Sequence, residues 1–190
     1  LTTRARRDGG DYVISGQKTY ISNGTRADFI TLAVRTGEEG PKGISLVVFP
    51  TDTPGFEVGR RLDKLGARAS DTGELFFDEC RIPATNLVGE EDQGLRYILS
   101  HFGGERLVIA AFAVGIMERL IELGLDYAAN REVFGGPVLS LQTWRHRFAE
   151  MATRLEATRL LAHQAARLLS DHDPAGDMAV SMAKLHAADA

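Results

Sequence analysis

Glu105-Arg-Leu-Val-Ile-Ala-Ala-Phe-Ala-Val-Gly-Ile-Met-Glu-Arg-Leu-Ile-Glu-Leu123 contains no proline, is apolar through its first half, and regains charge at Glu118, Arg119, Glu122 and, just beyond it, Asp126. That pattern predicts a long helix over residues 93–130, apolar early and amphipathic later, broken or tightened around Gly103-Gly104. Glu105 and Arg106 stand at the start of its apolar part. Three, four, seven and eleven places beyond Glu105 are Val108, Ile109, Phe112 and Ile116, so the helix face that the carboxylate shares is apolar. A carboxyl desolvated on such a surface holds its proton more tightly and is a candidate base. Two plainer readings compete: a first-turn acid favoured by the helix dipole, or a surface pair with Arg106.

Upstream the period changes. Residues 1–90 are rich in glycine, threonine, valine and phenylalanine, in short runs separated by turn signals. Strands are predicted at residues 12–15, 18–22, 29–35, 44–49, 56–60 and 74–77, with turns at Gly16 and Asn23-Gly24 and a polar loop at residues 37–43. Ile30, Leu32 and Val34 would face a core, and Thr31 and Arg35 would not. Six antiparallel strands at this spacing suggest a small barrel or sandwich. The basic cluster Arg4, Arg6 and Arg7 reads as a solvated strand edge, and Asp71 and Glu74 as turn and strand-edge acids.

Downstream the helical period continues. A second helix is predicted over residues 141–170, and a third beginning at Asp173-Pro174, with Asp173 as N-cap and Pro174 in the first helical position. The link Arg131-Glu-Val-Phe-Gly-Gly-Pro137 suggests a tight turn. Arg131 there is either a cation favoured at a helix C-terminus or a ligand for phosphate oxygens. The one domain division expected falls near residue 90, giving an α+β chain.

A chain of 190 residues with 44% hydrophobic content is long enough for one large core or two small ones, so it reads as soluble and globular. A net charge of −4 argues against a dedicated nucleic-acid surface. Cys80 is the single cysteine, which excludes an internal disulfide and a cysteine-based zinc site and fits a reducing, cytoplasmic setting. The five histidines show no ligand spacing. The longest apolar run, residues 107–117, is too short to span a bilayer. The chain opens on Leu1 and stops at Ala190 within a helical run, so an internal fragment is expected.

Several segments, taken in order, resemble the acyl-CoA dehydrogenase family across essentially the whole chain. They are Lys18-Thr-Tyr-Ile-Ser-Asn-Gly24, Lys64-Leu-Gly, Ser70-Asp-Thr-Gly-Glu-Leu-Phe-Phe77, Arg81-Ile-Pro83, Asn86-Leu-Val-Gly89, Glu105-Arg106, and Arg131-Glu-Val-Phe-Gly135 with Gln142 eleven places after the arginine. The resemblance implies a middle β-domain at residues 1–90 and part of a C-terminal up-down four-helix bundle at residues 91–190. Upstream and downstream parts of the family's architecture would lie outside this chain.

Family chemistry removes an α-proton from an acyl-CoA thioester while hydride leaves the β-carbon for FAD, giving a trans-2-enoyl-CoA. Electrons then pass to electron-transfer flavoprotein, in the setting of fatty acid β-oxidation. Glu105, directly before the helix arginine, matches the base position of long-chain and isovaleryl-type members. Tyr20, Ile21 and Ser22 match the strand that meets the isoalloxazine ring, with tyrosine where tryptophan is frequent and serine where threonine is frequent. Arg131 and Gln142 match ligands of the FAD pyrophosphate and ribitol region, often supplied by a neighbouring subunit, and Phe134 the turn aromatic beside them. Ser70 and Arg106 match positions that meet the CoA portion. The chain departs from the pattern at Val133, where some members carry threonine, and at Gly103, where many carry an acid. A homo-oligomer, dimer or tetramer, is implied. An acyl-CoA oxidase, a flavin monooxygenase of the same superfamily, and a non-catalytic CoA-binding or oligomeric scaffold are the alternatives.

Overall fold

The computed structural model describes residues 1–190, the side chain of Pro41 excepted, and divides into two compact units, Leu1–Leu99 and Ser100–Ala190.

In the first unit, β1 (Arg4–Asp8), β2 (Asp11–Ser22), β3 (Phe29–Arg35), β4 (Ile44–Pro50), β5 (Phe56–Arg61), β6 (Thr72–Pro83) and β7 (Leu87–Val88) form one sheet in the order β5-β6-β2-β1-β3-β4-β7. Every pairing is antiparallel except β1 with β3, which meet in parallel at Arg4 and Arg35. The expected antiparallel sheet followed by helices is found; a closed barrel is not, among the described residues. The sheet instead coils so that its two wings face each other. Phe49 of β4 lies 5.0 Å from Phe77 of β6 and 5.4 Å from Phe56 of β5, although three strands separate β4 from β6 in sheet order. Edge-on aromatic packing joins the wings over a core that includes Tyr12, Ile14, Leu32, Val34, Val47, Leu75 and Ile82. Leu32 and Val34 are buried, Ile30 is half-buried and Thr31 is exposed, the alternation expected of β3.

Three sequence expectations change here. Gly16 is not a turn: β2 runs through it, with a register shift against β6, and a Cβ on Gly16 would stand 2.7 Å from the Thr3 backbone at a φ of 140°. The arginines of β1 are exposed as expected, but the strand is not wholly an edge: it pairs with β2 from Arg4 to Asp8 and with β3 at Arg4; with Ala5 its one buried residue, it has too weak an apolar rhythm to show in the sequence. Glu74 likewise sits on β6, between β5 and β2, paired with Arg60 at 3.5 Å.

α1 (Gly94–Asn130) is unbroken through Gly103-Gly104. Gly103 is buried, and an added Cβ would lie 3.4 Å from the Asp177 carboxylate and 3.6 Å from Leu169, ordinary contact distances that would accept a methyl group. α2 (Gln142–Ser170) and α3 (Gly176–Asp189) pack with α1 around Ala110, Ala162, Ala165, Val180 and Ala183, side chains that permit short interhelical distances. α3 begins two residues later than expected, with Ala175 in the N-cap position. His172 takes a left-handed φ of 53°, the Asp173 amide donates to Leu168 and the His172 amide to Leu169, a Schellman closure of α2. Asp173 is thereby committed to ending α2 and to a turn in which its carboxylate accepts the Ala175 amide at 2.8 Å. No helix among the described residues is long and apolar enough to cross a membrane.

Candidate functional site

Within the first unit, Tyr20, Ile21 and Ser22 end β2, and the β2–β6 register sets Ile21 opposite Gly73 and Ser22 opposite Thr72. A second register shift, between Lys18 and Ile21, makes a bulge that contains Tyr20. Its φ of 62° is uncommon for a bulky residue, and its ring is 77% exposed. Ile21 instead packs against the core, so the bulge anchors one side chain and presents its neighbours on either side. Ser22 is exposed, and its hydroxyl has no partner among the described residues. Ser70, half-buried, stands two residues before Thr72, so strand pairing brings it to the same end of the sheet.

Two adjoining clefts occupy that end. One, of about 540 Å³, is lined by Tyr20, Thr72, Arg60, Arg61 and Lys64 among others. The other, of about 490 Å³, shares Arg61 and Lys64 and adds Ser70 and Arg68. Arg60 is paired with Glu74 and Arg68 with Asp63, which leaves Arg61 and Lys64 as cations without an ion pair among the described residues. An exposed aromatic ring, free hydroxyls and unpaired cations suit a planar, anionic ligand.

Beneath this surface, Asp71 is buried. Its Oδ2 accepts the Thr25 amide at 2.9 Å and the Thr25 hydroxyl at 2.7 Å, while Arg26 Nε lies 3.1 Å from Oδ1 without hydrogen-bond alignment. The Thr25 hydroxyl first, then its amide and the Arg26 charge, hold the Asp71 carboxyl below the ordinary carboxylate range. Lys18, two residues before Tyr20, donates from Nζ to the Ala33 carbonyl at 2.7 Å, and burial brings its pKa down to about 8. Sequence reading missed both roles. An aspartate between serine and threonine signals a turn, but its burial depends on where residues 23–26 fold back. The lysine is equally silent, because its acceptor lies on a strand that is not its neighbour.

In the second unit, Glu105 lies in the fourth turn of α1, well past the first turn where a helix dipole would explain it. It forms no ion pair with Arg106, whose guanidinium sits 5.8 Å from the centre of the Phe102 ring. Among the described residues the Glu105 carboxylate is exposed and unpartnered. The face it shares is apolar as expected, and exposed: Val108, Ile109, Phe112 and Ile116 lead into Leu120, Leu123 and Tyr127. The desolvation expected at Glu105 is therefore not supplied by the side chains of the helical unit.

Arg131 follows α1 directly and frames a hairpin of β8 (Glu132–Val133) and β9 (Gly136–Pro137), with the Val138 amide donating to its carbonyl at 2.8 Å. Phe134 and Gly135, with φ of 52° and 85°, form the two-residue primed turn. Phe134 is 98% exposed in a backbone region usually left to glycine or asparagine. Gln142, exposed, opens α2. Arg131 also borders an apolar groove of about 590 Å³ lined by Tyr127, Trp144, Phe148 and Met151. Arg131 and Glu105 are not brought together. They lie 26 residues apart along α1 and its end, about 39 Å at 1.5 Å per residue.

Fold and site define an α+β protein whose sheet unit offers a planar-ligand surface and whose helical unit carries a lone carboxylate on an apolar helix face. Residues 1–80 match the acyl-CoA dehydrogenase, middle domain, family, and residues 92–190 match the acyl-CoA dehydrogenase, C-terminal domain, family. The chain is 41% identical over 191 residues to an acyl-CoA dehydrogenase of Bacillus subtilis and 37% identical over 190 residues to the mitochondrial isobutyryl-CoA dehydrogenase of Dictyostelium discoideum, all of this chain aligning with 50% and 46% of theirs. A probable acyl-CoA dehydrogenase structure from Mycobacterium abscessus superposes with a TM-score of 0.96 at 45% identity, over 98% of this chain and 50% of that one. The chain belongs to the acyl-CoA dehydrogenase family. It spans about half the length of the curated relatives it matches.

Proposed function

We propose that the protein containing this chain carries out FAD-dependent α,β-dehydrogenation of an acyl-CoA thioester to the trans-2-enoyl-CoA, with Glu105 as the base. The observation that carries this reading is an unpartnered carboxylate on a continuous apolar stripe of α1. Covering that stripe would remove water from Glu105, and a dry carboxylate is a competent acceptor for the weakly acidic α-proton of a thioester. The placement is that of long-chain and isovaleryl-type members.

FAD, when bound, supplies the hydride acceptor. The residues fit it. Tyr20, Ile21 and Ser22 would hold the isoalloxazine ring, Tyr20 by its exposed face and Ser22 by its free hydroxyl. Arg131 and Gln142 would hold the pyrophosphate and ribitol, with Phe134 beside them. Ser70 and Arg106 would meet the CoA portion, with the Arg106 guanidinium kept in place by Phe102. The separation of Arg131 from Glu105 along α1 supports service to different copies of the cofactor, hence a homo-oligomer that shares FAD contacts. Electron-transfer flavoprotein is the proposed acceptor. We read residues 1–90 and 91–190 as the middle β-domain and part of the helical bundle.

In the FAD-loaded full-length protein, Glu105→Gln is expected to retain the flavin and to slow its anaerobic bleaching by acyl-CoA by about 10²–10⁴-fold, the range for a lost general base. Full-speed bleaching by that variant would sink the assignment. Stoichiometric peroxide on turnover in air would favour an oxidase instead.

A further inference from the structure

The turn at residues 23–26 follows directly on the strand end that carries Tyr20, Ile21 and Ser22, and it is held by one carboxylate, that of Asp71 immediately before β6. Asp71 Oδ2 takes both the amide and the hydroxyl of Thr25, at 2.9 and 2.7 Å. The Asp71 carbonyl accepts the Asn23 amide at 3.1 Å. Arg26 faces Oδ1 at 3.1 Å and reaches back to the Asn23 side chain at 3.1 Å. Thr25 is also pinned by packing: a Cβ on Gly73 would meet its methyl group at 2.6 Å, so Thr25 rests directly on the β6 backbone that pairs with Ile21.

The grip matters because the segment is otherwise costly. Tyr20, three residues before Asn23, holds a left-handed backbone angle with φ of 62°, uncommon for a bulky side chain. Such conformations persist only where surrounding structure over-determines them. Asp71 is 4% exposed and adjoins Ser70, so the same short stretch of β6 and its approach fixes both the strand end and the serine.

We propose that Asp71 is a positioning residue, which grips Thr25 to lock the turn at residues 23–26 and thereby sets Tyr20 and Ser22 against Ser70 for a flavin and its acyl-CoA. The proposal rests on the flavin reading above. It deepens that reading by naming what holds the flavin-facing strand end in a strained form.

The test uses the full-length protein with Asp71→Asn, Thr25→Val and Thr25→Ser, and Asp52→Asn, an exposed carboxylate outside both clefts, as the control. Hydrogen exchange at residues 20–26 reads the grip without reference to any ligand. Exchange there is expected to quicken by about ten-fold or more in Asp71→Asn, the factor that loss of a charge-assisted hydrogen bond produces, with β3 and β4 unchanged. FAD dissociation and the flavin midpoint potential read the consequence. Both are expected to shift in Asp71→Asn and, to a lesser degree, in Thr25→Val, and to return towards wild type in Thr25→Ser. Unchanged exchange in Asp71→Asn overturns the proposal. So does quickened exchange with wild-type flavin affinity and potential. If Asp71→Asn does not fold, wild-type behaviour of Thr25→Val overturns it. A wild-type protein that binds no flavin removes the functional reading, and with it the positioning role, whatever the exchange shows.

Discussion

At the scale of single residues, the informative feature is backbone conformation that the side chain does not favour. Tyr20 and Phe134 both occupy the left-handed region, and both present nearly naked aromatic rings to solvent. Strain of this kind costs of order 1–3 kcal/mol and persists where something other than stability maintains it. Phe134→Asn suits the first central position of a primed turn better. It is expected to stabilise the hairpin by about 1 kcal/mol while weakening FAD retention, which thermal melting and flavin titration would separate. Lys18 makes a second prediction. Its pKa in the folded chain is about 8, below the ordinary value of 10.5, because burial penalises the charged form. Below pH 8 the lysine is protonated folded or unfolded, and the folded state bears the desolvation cost. Between pH 8 and 10.5 the unfolded chain holds the extra proton, so this contribution makes stability rise with pH, and above 10.5 it levels off. Lys18→Met should lose that rise in urea melts at pH 7.5 and 10. Asp71 acts in the opposite range: its depressed pKa contributes stability above the ordinary carboxyl value, lost as pH falls through the folded-state value, so Asp71→Asn should flatten the acid limb of the curve.

At the scale of elements, α1 is the unusual member. Its inner face packs on alanines of α2 and α3, whereas Val108, Ile109, Phe112, Ile116 and Leu120 remain exposed along another face. A stripe of that length on a chain by itself favours association. Sedimentation of this chain should show concentration-dependent association that Phe112→Lys reduces, and monomers at all concentrations for the unaltered chain would contradict it. The helix was legible in the sequence because its 3.6-residue rhythm and lack of proline are local properties. Its passage through Gly103-Gly104 was not, since two glycines look like a break until Gly103 is seen packed beside Leu169 and Asp177. For the same reason β2 appeared as two strands: Gly16 reads as a turn, yet it serves a bulge over Thr3. The start of α3 was misplaced because Asp173 and Pro174 carry a good N-terminal signal locally, while the closure of α2 takes Asp173 first.

At the scale of the whole molecule, α1 separates the two kinds of proposed site residue by about 39 Å from Glu105 to Arg131. A shared-cofactor oligomer makes a sharp prediction from this. Glu105→Gln and Arg131→Gln proteins, each inactive alone, should regain activity when their subunits are mixed, because each mixed pair then contains one site with both residues intact. Mixtures that stay inactive would place both residues in one subunit's site. By itself the sequence determined the order of sheet and helices, the helical face that Glu105 shares, and the segments that mark the family, because period, turn chemistry and motif spacing are written along the chain. Only the tertiary structure decided that the sheet coils without closing, that Tyr20 stands out on a bulge, and that the buried Asp71 and the half-buried Lys18 hold the strand that bears it. Burial and strand pairing depend on residues far apart in sequence, such as Thr25 with Asp71 and Lys18 with Ala33, and no local pattern encodes them.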